Sequence, residues 1–313
     1  MQKAESIQPQ TSTLKSLKPY LQLMRPANII TAWADIMCGF GVTGLAALGI
    51  SGSFTFYNST DLLWLILSTT GLYGGGVVFN DVFDYKLDKI ERPERALPSG
   101  RASLLNATLL GLILFLSGIV AAFQVNSFSG KLAVVIAIAA LSYDKLGKHH
   151  PVVGPLNMGF CRGLNLMLGM SVAYEAVYYN WFICLVPLIF IAAITMISRS
   201  EVSGGDKKTI AFGGGLFGIV AIFISCLGLF SNYQVLHSLP FVGLFLFMVF
   251  KPLSRAYNDP TPTNIKLSVR GGILGLIPMD AAIAAGYAGI IYGLAILLLL
   301  PLSIYLAKKF AVT

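Results

Sequence analysis

Three aspartates follow an apolar segment at a spacing that suits metal chemistry. Asp81, Asp84 and Asp88 lie in the stretch NDVFDYKLD, and on a continuous helix their spacing of i, i+3 and i+7 puts the side chains on one face. Oxygen ligands select a hard cation such as Mg²⁺, which usually takes one or two carboxylates together with phosphate oxygens and water. The stretch therefore predicts a metal–diphosphate site. The alternative is a solvated helix end whose acids pair with neighbouring basic residues.

The composition places these aspartates in a membrane protein. Of the 313 residues, 56% are hydrophobic and only 12% are charged, and a membrane-spanning helix needs about 20 predominantly apolar residues. We expect an all-α, polytopic transmembrane bundle of nine or ten helices around a central cavity that opens to the cytoplasmic side. The ten predicted spans lie at about 27–50, 62–79, 103–123, 131–143, 154–174, 182–198, 211–230, 236–251, 268–285 and 287–307.

The distribution of basic residues predicts the orientation. The net charge of +8 comes from short loops rather than from one soluble face, which favours the positive-inside rule over nucleic acid binding. Counting from a cytoplasmic amino terminus, only Lys131 among the inter-helix lysines and arginines opposes this rule. We expect a flexible cytoplasmic arm over residues 1–24, a single transmembrane domain over 25–313, and residence in the plasma (inner) membrane.

Polar residues inside the predicted spans are further candidates for function. Asp35 in the first span is costly in a membrane unless it faces a polar interior, so it either lines a pocket or makes a hydrogen bond between helices. Arg162 lies about eight residues inside its span and should face a cavity or a carboxylate, because an unpaired arginine there costs about 2.5–3.5 kcal/mol. Both side chains point to a polar interior.

Two stretches resemble the UbiA superfamily of membrane prenyltransferases. NDVFDYKLD followed by ERPERALPSGR resembles the first aspartate motif of that family and its sequel, and SYDKLGKHHPVVGPLNMGFCRGLNLMLG resembles the segment that follows in the family. The sequences SRSEVSGGD and IPMDAAIAAG resemble those of the EboC-like branch of this superfamily. The resemblance implies that an allylic prenyl diphosphate binds through Mg²⁺, ionises, and passes its prenyl group to a lipophilic acceptor within the membrane.

The resemblance also implies roles for individual residues. Asp81, Asp84 and Asp88 hold Mg²⁺ at the first loop. The substrate-binding residues that it implies are Asn28, Asn80, Arg95, Tyr143, Lys145 and Arg162. Lys145 and Arg162 are the cations expected to contact diphosphate. For Tyr143, an aromatic residue at the membrane interface is an equally good interpretation.

The second aspartate loop departs from the family pattern. The family usually has D-x-x-x-D here, and placing its last aspartate on Asp206 puts Val202 where the first should be, with Glu201 one position away. We expect Glu201 and Asp206 to supply the second set of catalytic metal ligands if the glycines between them let both turn inward. Alternatively, Arg199 pairs with Glu201 and this loop holds no metal.

Three functional classes remain open at this point. The first is a Mg²⁺-dependent prenyltransferase, with prenyl diphosphate, a lipophilic acceptor and membrane lipids as partners and no nucleic acid. The second is a noncatalytic relative that binds or moves an isoprenoid or lipophilic product. A transferase for CDP-alcohols is disfavoured because its motif requires glycine where Tyr85 stands. A secondary transporter should carry mid-membrane ionisable residues on broken helices, whereas most ionisable residues here lie at one end.

Overall fold

The protein is a bundle of helices. The computed structural model describes residues 13–46, 56–148, 150–201, 204 and 206–310, and its regular elements within those ranges are helical. In chain order the helices are α1 Thr13–Met24, α2 Pro26–Val42, α3 Phe56–Phe83, α4 Tyr85–Glu91, α5 Leu104–Val125, α6 Ser127–Ser142, α7 Val153–Met170, α8 Tyr174–Asn180, α9 Leu185–Ser198, α10 Lys207–Cys226, α11 Val235–Asn258, α12 Pro262–Ala288, α13 Ile290–Leu297 and α14 Leu299–Phe310.

Eight segments of the described chain are long and apolar enough to cross a membrane. The two remaining predicted spans correspond to α2 and α7. Helix α2 is short, with 17 residues, and α7 carries Asn157, Arg162 and Asn165 within its 18 residues. The predicted all-α transmembrane bundle is therefore confirmed, and α2 and α7 both carry polar residues that lie in the interior.

The described part of the amino-terminal segment contains a helix that packs on the bundle. Residues 13–24 form α1, in which Leu23 is buried against Val78 and Leu97. The hydroxyl of Tyr20 accepts a hydrogen bond of 3.2 Å from the amide of Asn106. Helix α1 is thus docked on the bundle because it offers an apolar face, and residues 1–12 lie outside the described residues.

Two glycines set the contact between α2 and α7. A Cβ atom on Gly39 would lie 2.2 Å from the carbonyl oxygen of Leu166, and one on Gly169 would lie 2.4 Å from that of Ile36. Neither distance is sterically possible, so only glycine allows the two backbones to approach this closely. The approach brings the polar side chains of the two helices into direct contact.

The polar loops converge on one end of the bundle. The guanidinium of Arg199 donates to the backbone carbonyls of Lys148, at 3.1 Å, and of His150, at 2.5 Å. Glu201 lies within electrostatic range of Arg92 and Lys266. We call this end, made by Arg25 and residues 80–101, 143–148, 150, 199–201, 204 and 206, the mouth. The predicted meeting of the polar loops is confirmed by these contacts.

Candidate active site

The mouth begins where α3 ends. Helix α3 stops at Phe83, Asp84 forms a turn, and α4 starts at Tyr85. The three aspartates therefore do not lie on one continuous helix, and the shared face expected from their spacing is only partly formed. Asp81 and Asp88 point to the same arginine, whereas Asp84 turns towards the loop that follows α6.

Each aspartate of the first loop contacts a basic side chain. Arg25 Nη2 donates to Asp81 Oδ1 at 2.7 Å, and Arg95 Nη1 lies 3.4 Å from the same oxygen and 2.8 Å from Asp88 Oδ2. The ammonium group of Lys148 pairs with Asp84. These partners are not the neighbouring Lys86, Lys89 and Arg92 expected of a solvated helix end, because they come from three separate segments. The loop is a site assembled by the fold.

Arg25 occupies an unusual backbone conformation. It has φ 49° and ψ 63°, the left-handed region that costs a non-glycine residue about 1–3 kcal/mol. The conformation separates α1 from α2 and directs the guanidinium towards Asp81. Arg25 is not among the site residues selected from the sequence, although it contacts Asp81.

The loop after α6 supplies two further residues that sequence reasoning did not select. Asn80 Nδ2 donates to Asp144 Oδ1 at 2.8 Å, and Lys148 rather than Lys145 reaches the aspartates. Lys145 is exposed, since the π-helical turn Tyr143–Gly147 directs it outwards. Tyr143 is half-buried and lies within electrostatic range of Asp84. Lys148 is therefore the lysine of this segment that contacts Asp84, and the contact of Lys145 with diphosphate stays a prediction.

The second loop lies beside the first without a direct contact between their acids in the described part of the chain. Burial raises the pKa of Glu201, and the charges of Lys266 and Arg92 oppose that rise. Asp206 is exposed where α10 begins, and its side chain forms no cap hydrogen bond. Arg199 is bound to backbone carbonyls rather than to Glu201. Val202 lies outside the described residues.

A second polar group lies deeper, between α2, α7 and α12. Arg162 Nε lies 2.5 Å from Asp35 Oδ2, and its Nη2 donates to the hydroxyl of Thr31 at 2.9 Å. Asn165 donates to Asp35 Oδ2 at 2.9 Å and accepts from Thr69 at 2.7 Å. We call Asp35, Arg162, Asn165 and the neighbouring Asp280 the floor cluster. Asp35 both lines the polar interior and bonds between helices, so the two interpretations of it are compatible.

The floor cluster supplies the carboxylate partner of Arg162. Its guanidinium faces Asp35 and lies 5.6 Å from the ring centre of Tyr73, one layer below the mouth. Arg162 therefore meets the carboxylate that its depth required, but it does not reach the aspartates expected to bind diphosphate through Mg²⁺. Asn28 is half-buried in the first turn of α2, between the two polar layers.

Two pockets differ in what they could bind. At the mouth, a small cavity of about 50 Å³ is lined by Arg25, Asp81 and Arg95, among others. A larger cleft of about 510 Å³ is lined by Phe128, Tyr174, Val177, Tyr178 and Trp181, at the opposite end of the bundle. The larger cleft has no charged side chain and suits the membrane interface, where aromatic residues are enriched. Of these two pockets, the one at the mouth combines a carboxylate with cations.

The donor set of the mouth suits Mg²⁺ chemically. Mg²⁺ needs only one or two protein carboxylates when phosphate oxygens and water complete its octahedron, and Asp81, Asp84 and Asp88 provide them. Within the described residues, no three acidic, histidine or cysteine side chains lie close enough together to hold an ion by themselves. The carboxylates are held instead by Arg25, Arg95 and Lys148, so a metal ion would replace cations that are already present.

Comparison with known proteins agrees with this architecture. A digeranylgeranylglyceryl phosphate synthase from Methanosarcina mazei is 28% identical over 279 residues, covering 79% of this chain and 92% of the relative. The protein of the same name from Methanosarcina barkeri is 29% identical, covering 80% and 93%. A UbiA homolog from Archaeoglobus fulgidus, solved with DMAPP and Mg²⁺, aligns with a TM-score of 0.61 at 15% identity, over 88% of this chain and 98% of that one.

The fold and the site define a class of protein: a multi-pass membrane protein with an acidic and cationic site at one end of its helices. The model of the UbiA prenyltransferase family matches residues 37–268, and the chain belongs to this family. The membrane prenyltransferase predicted from the sequence is thereby confirmed at the level of the family. The relatives do not show the EboC-like branch, so that narrower placement stays a prediction.

Proposed function

We propose that this protein transfers a prenyl group from an allylic prenyl diphosphate to a lipophilic acceptor, and that the mouth binds the diphosphate. The observation that carries the proposal is the set of contacts at the first loop, where Asp81, Asp84 and Asp88 meet three cations from separate segments. A departing diphosphate develops negative charge that such cations and a bound metal ion stabilise. The surrounding apolar helices keep water away from the prenyl cation.

The mouth residues divide into two groups under this proposal. Asp81, Asp84 and Asp88 hold Mg²⁺ when it is bound, and Glu201 and Asp206 provide carboxylates for the second loop. Arg25, Arg95 and Lys148 then exchange their carboxylate partners for diphosphate oxygens, which guanidinium groups bind in a bidentate fashion. The UbiA homolog of Archaeoglobus fulgidus, solved with DMAPP and Mg²⁺, supports this ligand pair by analogy of fold.

A test of the site uses a non-hydrolysable thiolo analogue of geranyl diphosphate. Wild-type protein in detergent should bind the analogue with Mg²⁺ and lose it with EDTA, and Asp81→Asn and Asp84→Asn should each weaken Mg²⁺-dependent binding by about 100-fold. Asp61→Asn, the same change in a carboxylate at the far end of α3, is the matched control. Binding by Asp84→Asn that equals wild type would overturn the assignment.

A noncatalytic role is the second candidate, because the second loop lacks the usual pair of aspartates. Incubation with a labelled prenyl diphosphate and a membrane lipid extract separates the two. A transferase releases diphosphate and labels a lipid, whereas a binding protein retains the diphosphate ester intact. Mg²⁺-dependent binding without any transfer would therefore favour the noncatalytic role.

We also propose that the mouth faces the cytoplasm and that the protein resides in the plasma (inner) membrane. The basic residues of the mouth support this through the positive-inside rule. Single cysteines introduced at Lys89, Lys148 and Lys207 should react with an impermeant maleimide only from the cytoplasmic side, and one at Asn232 only from the outside. Labelling of the cysteine at position 207 from the outside would contradict the orientation.

A further inference from the structure

We propose that Arg199, the first residue of the second loop, is a positioning residue that holds Lys148 where it can bind diphosphate. This inference rests on the proposed function, because it concerns the same site. The carrying observation is a pair of hydrogen bonds from Arg199 Nη2, to the carbonyl oxygen of Lys148 at 3.1 Å and to that of His150 at 2.5 Å. Nη2 has two hydrogens, one for each carbonyl. The second loop therefore reaches the diphosphate site through a cation as well as through any carboxylate it contributes.

The packing of α7 against α9 places Arg199 at this point. A Cβ atom on Gly163 would lie 2.7 Å from the carbonyl oxygen of Cys184. One on Gly159 would lie 2.3 Å from the carbonyl oxygen of Leu188. The two contacts show that the helices run antiparallel, since four residues back along α7 correspond to four residues forward along α9. Arg199 follows directly after α9, so the same register brings it beside the segment that precedes α7.

A third glycine leaves room for the guanidinium. A Cβ atom on Gly154 would lie 3.0 Å from Arg199 Nη2, 3.0 Å from the carbonyl oxygen of Lys148 and 2.9 Å from that of Gly147. Gly154 is buried, and its own N–H donates to the carbonyl of His150 at 3.2 Å. The guanidinium is therefore packed into the backbone turn at the start of α7, and a side chain at position 154 would push against it.

The position of Lys148 explains why a partner at its backbone matters. Lys148 follows the π-helical turn Tyr143–Gly147, and α7 begins only at Val153. Its ammonium group pairs with Asp84 at the end of a flexible four-carbon side chain. Such a side chain is held in a productive geometry only when its backbone is fixed by surrounding contacts. The bonds from Arg199 provide that support from a separate helix.

A double-mutant cycle tests whether Arg199 acts through Lys148. Binding of the thiolo analogue of geranyl diphosphate with Mg²⁺ is measured by calorimetry on wild type, Lys148→Met, Arg199→Met and the double variant. Lys148→Met should weaken binding about tenfold, because a cation of the diphosphate is lost. Arg199→Met should weaken it about fivefold in the wild-type background and less than twofold in the Lys148→Met background. Equal losses in the two backgrounds, or wild-type affinity in Arg199→Met, would overturn the proposal.

A second variant displaces the guanidinium without removing its charge. Gly154→Ala should weaken binding of the analogue about fivefold and add no further loss to Arg199→Met, because both changes break the same contact. Gly215→Ala, which has no atom within 4 Å of its Cβ position, is the matched glycine control. Arg255→Met, which removes an exposed arginine at the end of α11, is the matched arginine control. Both controls should bind the analogue like wild type. Wild-type affinity in Gly154→Ala would contradict the positioning role.

Thermal unfolding separates positioning from a purely structural role. Arg199 is exposed, so Arg199→Met should shift the melting temperature by no more than a few degrees. A large drop in melting temperature, with wild-type affinity in the folded protein, would mark Arg199 as structural and overturn the proposal. Absence of Mg²⁺-dependent analogue binding in wild type would count against the proposed function instead. Intact wild-type binding with equal losses in both backgrounds of the cycle would overturn the role of Arg199 alone.

Discussion

The mouth and the floor cluster both pair arginine with aspartate, yet the two environments differ. At the mouth, the side chain of Arg25 is 33% exposed and that of Asp81 12%. In the floor cluster, Arg162 is 7% exposed and Asp35 0%. Pairs in contact with water contribute at most about 1 kcal/mol, whereas removing one partner of a buried pair costs about 3–5 kcal/mol. The mouth can therefore exchange partners, and the floor cluster holds its geometry.

The floor pair should give the largest effect on stability. Arg162→Met leaves Asp35 as a buried charge without its cation and should lower the free energy of unfolding in detergent by about 3–5 kcal/mol. The double variant Arg162→Met with Asp35→Leu should recover most of the loss, since a well-packed apolar pair often replaces a buried ion pair at little cost. Thermal and denaturant unfolding measure both.

Arg255→Met is the matched control for Arg162→Met. Arg255 is exposed at the end of α11, so its loss should change stability by less than about 0.5 kcal/mol. If Arg162→Met and Arg255→Met lowered the stability equally, or if Asp35→Leu did not restore stability to Arg162→Met, the floor cluster would not differ from the mouth in the way proposed.

The contact that builds the floor can be broken without touching a charge. Gly169→Ala should destabilise the protein by about 1–3 kcal/mol, because overpacking forces α2 and α7 apart and a Cβ atom would lie 2.4 Å from Ile36 O. Gly215→Ala, in α10 with no atom within 4 Å of its Cβ position, should be neutral or stabilising. A Gly169→Ala variant as stable as wild type would contradict the close approach.

The same contrast explains what could be predicted from the sequence. The span positions, the acidic loop and the convergence of polar loops follow from local composition, so apolar periodicity and charge placement were sufficient to predict them. Arg162 was expected to meet a carboxylate because depth alone requires one. Asp35 is the carboxylate that Arg162 meets because Gly39 and Gly169 bring α2 and α7 together. These two helices are far apart in the sequence, so no local sequence pattern predicts how they pack against each other.

The local backbone conformation decides which basic residues reach the aspartates of the mouth. Lys145 and Lys148 are three residues apart and equally basic, and only the π-helical turn decides which one faces Asp84. Arg25 reaches Asp81 through a left-handed backbone conformation that its residue type does not favour. Asp280 lies in an apolar helix at a position that attracts attention only once Asp35 is found beside it.

The second loop should affect catalysis more than stability. Glu201→Gln and Asp206→Asn keep side-chain size while removing charge, and each should lower turnover by about tenfold if the loop contributes to metal binding. Asp259→Asn, on the neighbouring loop, is the control of equal charge. Undiminished turnover in the Glu201→Gln, Asp206→Asn double variant would show that the first loop acts alone. Val202→Asp, outside the described residues, tests whether restoring the family spacing raises Mg²⁺ affinity.

The smallest effect on stability should come from the arginine that bridges the first loop. Arg95 lies between Asp81 and Asp88, and Arg95→Met should lower the free energy of unfolding by about 1–2 kcal/mol. The loss exceeds that of an exposed pair because Asp88, whose side chain is 5% exposed, loses its cation. It stays below that of the floor pair because Asp81 keeps Arg25 as a partner. Binding of the thiolo diphosphate analogue should nevertheless weaken several-fold, since a guanidinium partner of the diphosphate is lost. Arg255→Met, on the same side of the membrane, should change neither quantity. A loss of 3 kcal/mol or more, as for a buried pair, with analogue binding intact would contradict this prediction. Arg95 would then stabilise the fold, and only Arg25 and Lys148 would exchange partners at the mouth.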